Sequence, residues 1–244
     1  MSGHSHAKTV KSKKEAGAKK RSQIFSKMNR LITVAIRSGG PNPETNSKLR
    51  MAIESARSFN MPNENIERAI KKASGEGKGE KLEEFVFEAY GPGKTAMLIE
   101  GITDNKNRLL GAVKKILSQH NGKLVQEGAI KWMFERKGYV AIELEAQNEE
   151  LKDKEKLELA AIEAEAEDVA WNNDNLDVYS SVENLEKVKK NLEEKGIKIE
   201  SSGLEWKPKD EIKLDEKQKQ SCQKLFEALD ENDDIQDIYS NLKI

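Results

Sequence analysis

Residues 88–108 read EAYGPGKTAMLIEGITDNKNR, and the role given to their glycines decides the fold. The segment Gly91-Pro92-Gly93-Lys94-Thr95 ends like a phosphate-binding loop, whose pattern is G-x-x-x-x-G-K-[ST]. With Gly93, Lys94 and Thr95 in place, the first glycine of that pattern falls at position 88, where a glutamate stands. The residues that follow disagree as well. A phosphate loop runs into a helix whose backbone N–H groups hold the anion, whereas TAMLIEGIT is an apolar run of strand character. The stretch therefore reads as strand, turn, strand, and the glycines permit a tight backbone path instead of holding a nucleotide.

Upstream of this hairpin the apolar period is helical. Ile24, Phe25, Met28, Leu31, Ile32, Ala35 and Ile36 form one stripe, ended by GGPNP, and Leu49, Ala52, Ile53, Ala56 and Phe59 form a second. Pro62 opens a third helix with Ile66, Ala69, Ile70 and Ala73 on its apolar side and Gly75 as its expected C-terminal cap. Short connections between amphipathic helices predict a small bundle, bounded by the linker SGEGKGEKL. Downstream, NRLLGAVKKILSQ is a helix, and AIKWMFERKG and YVAIELE are separate strand candidates. From Gly138 to about Trp206 the order is strand, helix, strand, strand, helix, strand, the ferredoxin-like split arrangement. A last helix with Cys222, Leu225, Phe226 and Leu229, and a closing strand IQDIYSNL, cannot bury themselves alone. They are expected to return to the sheet begun at residues 84–103. The reading is an α+β, multidomain chain: an N-terminal three-helix bundle (1–78), a discontinuous α/β sandwich-type middle domain (79–137 plus 207–244), and a ferredoxin-like α/β domain (138–206) inserted into it.

Lys and Arg number 42 and Asp and Glu 43, a balance that hides segregation. Residues 1–78 carry 17 basic and 6 acidic side chains, and the remainder carries 25 and 37. Such asymmetry points to a polyanion-binding part joined to a part with another task. In the first 30 residues Lys8, Lys11, Lys13, Lys14, Lys19, Lys20, Arg21, Lys27 and Arg30 are opposed by Glu15 alone. At about 100° per residue, Lys20, Lys27, Arg30 and Arg37 share one arc beside the apolar stripe. A basic arm leading into a basic helix edge suits a phosphate backbone, where neutralised phosphates release counterions. No zinc-finger spacing, leucine zipper or paired aromatic platform marks base-specific readout. At the start of the helix after the hairpin, Thr103, Asp104 or Asn105 is expected to cap, and Arg108 beside that helix end makes an anion site. Tyr90, Gly91 and Lys94 of the turn, with Asn105, Asn107 and Arg108 of the helix start, are taken as a second nucleic-acid contact surface. Residues 143–168, with 11 acidic and 3 basic side chains, should repel nucleic acid.

Other functions find little support. A single cysteine, Cys222, excludes an internal disulfide and fits a reducing compartment; it is expected to be a small buried apolar residue. No apolar run approaches the ~18 residues of a membrane span, and no secretory pattern is present, so the chain is expected to be cytoplasmic with no membrane partner. Paired acids such as EAEAED lack a histidine, serine or metal partner for catalysis. His4 and His6 stand near the start, and a processed Ser2-Gly3-His4 terminus could offer nitrogens to Cu(II) or Ni(II), which reads as adventitious. His120 is assigned to a helix end. No metal, cofactor or small-molecule substrate is expected, and the oligomeric state stays open.

GHS before a Lys-rich segment, RSQIFSKMNRLITVAIRSGG, NMPNENIERAIKKASG, EAYGPGKTAMLIEGITDNKNR, MFERKG and AEDV occur in that order over nearly the whole chain. Together they resemble the YebC family, which is similar also to the mitochondrial translational activator of cytochrome oxidase subunit I. The resemblance implies a helical N-terminal domain followed by two α/β domains, and a nonenzymatic, cytoplasmic regulator of gene expression. Bacterial members are described as DNA-binding transcriptional regulators, while the mitochondrial relative and some bacterial members act in translation on the ribosome. DNA and ribosomal RNA are therefore both implied partners. The chain departs from the family's usual GHSKW, having His6 and Ala7 in GHSHAK, and it carries Lys94 where glycine is frequent after YGPG.

Overall fold

The structure is a computed structural model that describes residues 17–75 and 81–243. Its first unit consists of α1 (Ala18–Gly39), α2 (Ser47–Ser58) and α3 (Asn63–Ser74). The apolar stripes meet as their spacing predicts, with Ile24, Met28, Ile32 and Ile36 packed on Leu49, Ile53, Ala56 and Ile66. The buried Asn46 amide fixes the first corner. Its oxygen accepts the Leu49 N–H at 3.1 Å and caps α2, while its nitrogen donates to the Ala35 and Gly40 carbonyls, each at 2.7 Å. Gly75 does end α3, but with φ −69° and ψ 146°, an extended exit rather than a left-handed cap.

The middle unit is a four-stranded antiparallel sheet in the order β3-β1-β2-β8, built from β1 (Glu83–Tyr90), β2 (Ala96–Thr103), β3 (Lys123–Leu124) and β8 (Ile235–Ser240). One face packs on α4 (Lys106–Gln119) and α7 (Glu216–Asp230). Phe87, Ala89, Met97 and Ile99 meet Leu109, Val113 and Leu117 of α4, and Cys222, Leu225, Phe226 and Leu229 of α7. The C-terminal helix and strand thus bury their apolar faces against a sheet begun some 130 residues earlier in the chain. DEIKL contributes only an isolated bridge, Ile212 to Leu242.

The remaining unit runs β4 (Phe134–Glu143), α5 (Lys154–Glu163), β5 (Asp168–Asn172), β6 (Asn175–Ser180), α6 (Leu185–Glu194) and β7 (Ser201–Pro208). Its sheet order, β5-β6-β4-β7 with every pair antiparallel, is ferredoxin-like. The two expected strands around Gly138 are one strand. β4 passes through Gly138 without a break and pairs with β7 from Phe134–Pro208 to Ala141–Ser201. Glycine there answers a close approach rather than a turn, because a Cβ would lie 2.7 Å from Ser180 Oγ and 2.8 Å from Leu185 Cβ. Residues 131–133 form a short 3-10 turn instead of strand, with the Lys131 N–H given to Glu88 and the Met133 N–H to the Ile130 carbonyl.

Candidate nucleic-acid interface

The turn at Gly91–Thr95 has none of the parts of a phosphate loop. The Gly91 N–H donates to the Thr95 carbonyl at 2.8 Å and the Thr95 N–H to the Pro92 carbonyl at 3.2 Å, so the turn closes on itself. Thr95 is fully buried, its hydroxyl donates to the Pro92 carbonyl at 2.8 Å, and it leads into β2 rather than a helix. Gly93 and Lys94 are both left-handed, at φ 64° and 62°. A Cβ on Gly93 would lie 2.6 Å from Leu214 Cδ2. Tyr90 and Lys94 are exposed, whereas Gly91 is buried.

Glu88 explains why no glycine stands at its position. Only 3% exposed, it accepts backbone N–H groups from Gly128, Ile130 and Lys131 at 2.6, 2.5 and 2.9 Å. Burial alone would raise its carboxyl pKa, but these donors and the Lys131 charge together hold it below the usual value. The loop so anchored carries Trp132, which the sequence reading missed by taking AIKW as strand. An indole next to a lysine, in a segment opened by Gly128, was the available signal.

The basic segment of the first domain divides. Lys8, Lys11, Lys13 and Lys14, the side chain of Lys19, and the Ser2-Gly3-His4 terminus lie outside the described residues. Lys20, Arg21 and Arg37 are exposed along α1. Lys27 and Arg30 are not on an outward face. Lys27 is 5% exposed, and its ammonium pairs with the Asp230 carboxylate at 2.8 Å and donates to the Asp230 carbonyl at 3.0 Å. Arg30 pairs with Asp234 and donates to the Ile102 carbonyl at 2.9 Å. Their arc borders the apolar stripe, as the helical period requires, and what lies against that border is the acidic end of α7 and the turn after it. Nothing in the local sequence of α1 reveals that neighbour.

Arg108 joins the same junction. Its guanidinium donates to Asp234 at 2.9 Å, to Asp104 at 2.6 Å and to the Thr103 hydroxyl at 3.2 Å, while its side chain stays 54% exposed. Asn105 is the helix cap, accepting the Arg108 N–H at 3.0 Å, and Asn107 is exposed. Asp234 also accepts the Thr103 hydroxyl at 2.9 Å. Burial pushes its pKa up, but the hydrogen bonds from Arg30, Arg108 and Thr103 outweigh this and hold it below the ordinary range. At the start of α4 it is the chain's own carboxylates, Asp104 and Asp234, that meet the Arg108 guanidinium.

The acidic stretch is largely an internal partner. Glu163, Glu165, Glu167 and Asp168 pair with Lys195, Lys187, Lys137 and Lys207 at 2.5 to 2.8 Å. Cys222 is buried, which raises its thiol pKa, and it lies 3.4 Å from the Thr95 hydroxyl. His120 caps the end of α4 through its backbone N–H. Among the described residues no group of His, Cys, Asp and Glu could hold a metal ion, and no helix is long and apolar enough to cross a membrane.

The whole chain has close counterparts. Residues 5–76 match the TACO1/YebC N-terminal domain and residues 82–242 match the TACO1/YebC second and third domains. A probable transcriptional regulatory protein of Halothermothrix orenii is 43% identical over 245 residues, covering 100% of this chain and 96% of the relative. One from Aquifex aeolicus is 44% identical over 246 residues with the same coverage. The crystal structure of a conserved hypothetical protein from Aquifex aeolicus superposes with a TM-score of 0.85 at 43% identity, covering 96% of this chain and 93% of that one. The chain belongs to the TACO1/YebC family.

Proposed function

We propose that this protein is a nonenzymatic, cytoplasmic, nucleic-acid-binding regulator of gene expression, and in the first place a DNA-binding transcriptional regulator. The observation that carries the reading is the charge division: 17 basic against 6 acidic side chains in residues 1–78, with Lys20 and Arg21 exposed at the start of α1. Lysines and arginines in solvent meet phosphate oxygens without first breaking internal pairs, and they position a protein on a backbone without reading its sequence. Lys8, Lys11, Lys13, Lys14 and Lys19 belong to the same basic segment of the sequence, and Arg37 stands in the last turn of the same helix. Tyr90, Lys94 and Asn107 add a second surface on the middle domain, where Gly91 and Asn105 shape the backbone. Arg108 contributes there through the part of its guanidinium turned to solvent. The relatives named as probable transcriptional regulatory proteins support the transcriptional reading.

A ribosome- or RNA-binding translation factor is the second reading, favoured by the match to a family that includes the TACO1 proteins. Crosslinking in cells, followed by sequencing of attached DNA and RNA beside ribosome cosedimentation, separates the two. Recovery of DNA alone is the outcome expected of the first reading. Ribosomal RNA with cosedimentation replaces it by the second, and recovery of neither overturns both.

A further inference from the structure

We propose that Trp132 is a stacking platform for an unpaired base of single-stranded nucleic acid, held in place by the buried Glu88 carboxylate. This rests on the nucleic-acid reading above and adds the chemistry of the ligand. An exposed aromatic ring alone would carry nothing, since isolated apolar side chains are common on surfaces. Three further observations set this one apart.

The first is the contrast with the other two tryptophans. Trp171 donates its indole N–H to Glu158 at 2.5 Å, and Trp206 donates to Glu100 at 2.8 Å with Lys131 and Arg136 at 5.0 and 5.1 Å from its ring centre. Both are partly buried, whereas Trp132 is 67% exposed. Its N–H donates to the Ala129 carbonyl at 3.0 Å. The polar edge of the indole is thus used within its own loop, and the π face is what remains for a partner.

The second is rigidity. In the chain Trp132 falls between Ile130, fully buried, and Phe134, nearly so, which pack with Ala96 and Leu98 on the outer face of the middle sheet. Glu88 fixes the backbone of Gly128, Ile130 and Lys131, and the Val125 N–H donates to the Glu88 carbonyl at 2.9 Å. A buried carboxylate is costly to desolvate and is retained where its hydrogen bonds are needed. Here they hold a loop whose outward product is an indole in a fixed orientation, which lowers the entropy lost on stacking.

The third is charge. Lys131 precedes the tryptophan and is exposed, and Lys209 is exposed with its backbone N–H bonded to the Met133 carbonyl at 2.9 Å. Nearby acids are Glu127 and Asp210, both exposed, and Glu135, which is paired with Lys137 at 2.9 Å and also feels the charge of Lys209. Tyr90 lies two residues past Glu88 on the same face of β1, opposite Lys123 of β3. The Lys131 ammonium lies over the Trp206 ring, so the cations stand on the segments that flank the exposed indole, an arrangement that suits a base and its phosphates, as in groove-and-stack recognition of single strands. A duplex keeps its bases stacked on one another and offers the ring nothing.

Tryptophan emission reads this directly, because Trp132 is the exposed indole of the three. Full-length protein is titrated with an adenine-rich single strand of about twelve nucleotides, as RNA and as DNA, and with the matching duplex. Quenching by single strands and not by duplex is expected. Trp132→Ala should weaken single-strand binding by about 5- to 150-fold, and Trp132→Phe should stay within about threefold of the parent because a π face is kept. Lys131→Ala with Lys209→Ala should weaken binding and flatten its salt dependence. Equal affinity of Trp132→Ala and parent, with arm variants still weakened, would overturn the platform and leave the backbone reading standing. No binding of any oligonucleotide by the parent would overturn both.

Discussion

Along one helix, cations of the same kind meet opposite fates. Lys20 and Arg21 stand in solvent at the start of α1, whereas Lys27 and Arg30, two turns on, are closed onto Asp230 and Asp234. A helical period tells which residues share a face, but it does not tell what the face meets. Charge in solvent is available for a partner, while charge paired across an interface belongs to the fold. The two are separable by experiment, because removing the first should leave stability alone and removing the second should not.

The largest effect is expected at Asp234. Asp234→Ala removes the carboxylate that Arg30, Arg108 and the Thr103 hydroxyl share, leaving Arg30 its bond to the Ile102 carbonyl but no counter-charge, at a cost of about 2 to 3 kcal/mol in denaturant unfolding. Lys20→Ala and Arg21→Ala should each stay within about 0.5 kcal/mol of the parent. Equal stability of all three variants would erase the distinction. The same carboxylate predicts a pH dependence. Its folded pKa lies below the unfolded value near 4, so its contribution is fully present above that value and is lost as pH falls through the folded one. Glu88 acts in the same direction, whereas burial raises the pKa of Glu100, whose contribution is lost as pH rises through its folded value. Acid unfolding curves of Asp234→Asn should therefore be flatter than those of the parent below about pH 5. Unchanged curves would contradict the pairing.

Glu88→Gln comes next. An amide has one acceptor oxygen where the carboxylate has two, so at least one of the three N–H donors loses its partner, and a destabilisation of about 1 to 2 kcal/mol is expected. Trp132 emission should shift toward that of a mobile indole in the same variant. A shift in stability with unchanged emission would separate Glu88 from the loop it holds.

The bundle was legible because three stripes at helical spacing leave few ways to pack, and the hairpin because Glu88 broke the phosphate-loop pattern. The return of the last helix and strand followed from their inability to bury themselves. The Lys27 and Arg30 pairs were not legible, since Asp230 and Asp234 lie some 200 residues away. Gly138 misled for a related reason. Glycine signals a turn or a close approach, and only the Leu185 and Ser180 side chains from later in the chain decide which. Trp132 was hidden because the carboxylate that bends its loop out of a strand comes from a different element.

Smaller effects are expected at the turn, where Lys94 is a solvent cation with an uncommon backbone. Lys94→Gly removes a left-handed penalty of about 1 kcal/mol but gains a similar freedom in the unfolded chain, so thermal midpoints should barely move. Gly93→Ala introduces a left-handed strain that glycine does not carry and adds a clash with Leu214, and should lower stability by about 1 to 2 kcal/mol. A large loss from Lys94→Gly would show that its side chain belongs to the fold and not to the solvent-facing set.

The central claim is that the exposed cations of the first domain bind phosphate and the paired ones do not. Affinity for a nucleic acid measured as a function of salt tests it. With Lys11, Lys13, Lys14, Lys20 and Arg21 changed to Ala, the slope of log affinity against log salt should flatten by roughly 0.7 to 0.9 for each phosphate that is no longer neutralised. Lys27→Ala should lower stability and keep the parent's slope. An unchanged slope in the multiple variant, or a flattened one in Lys27→Ala, would contradict the account.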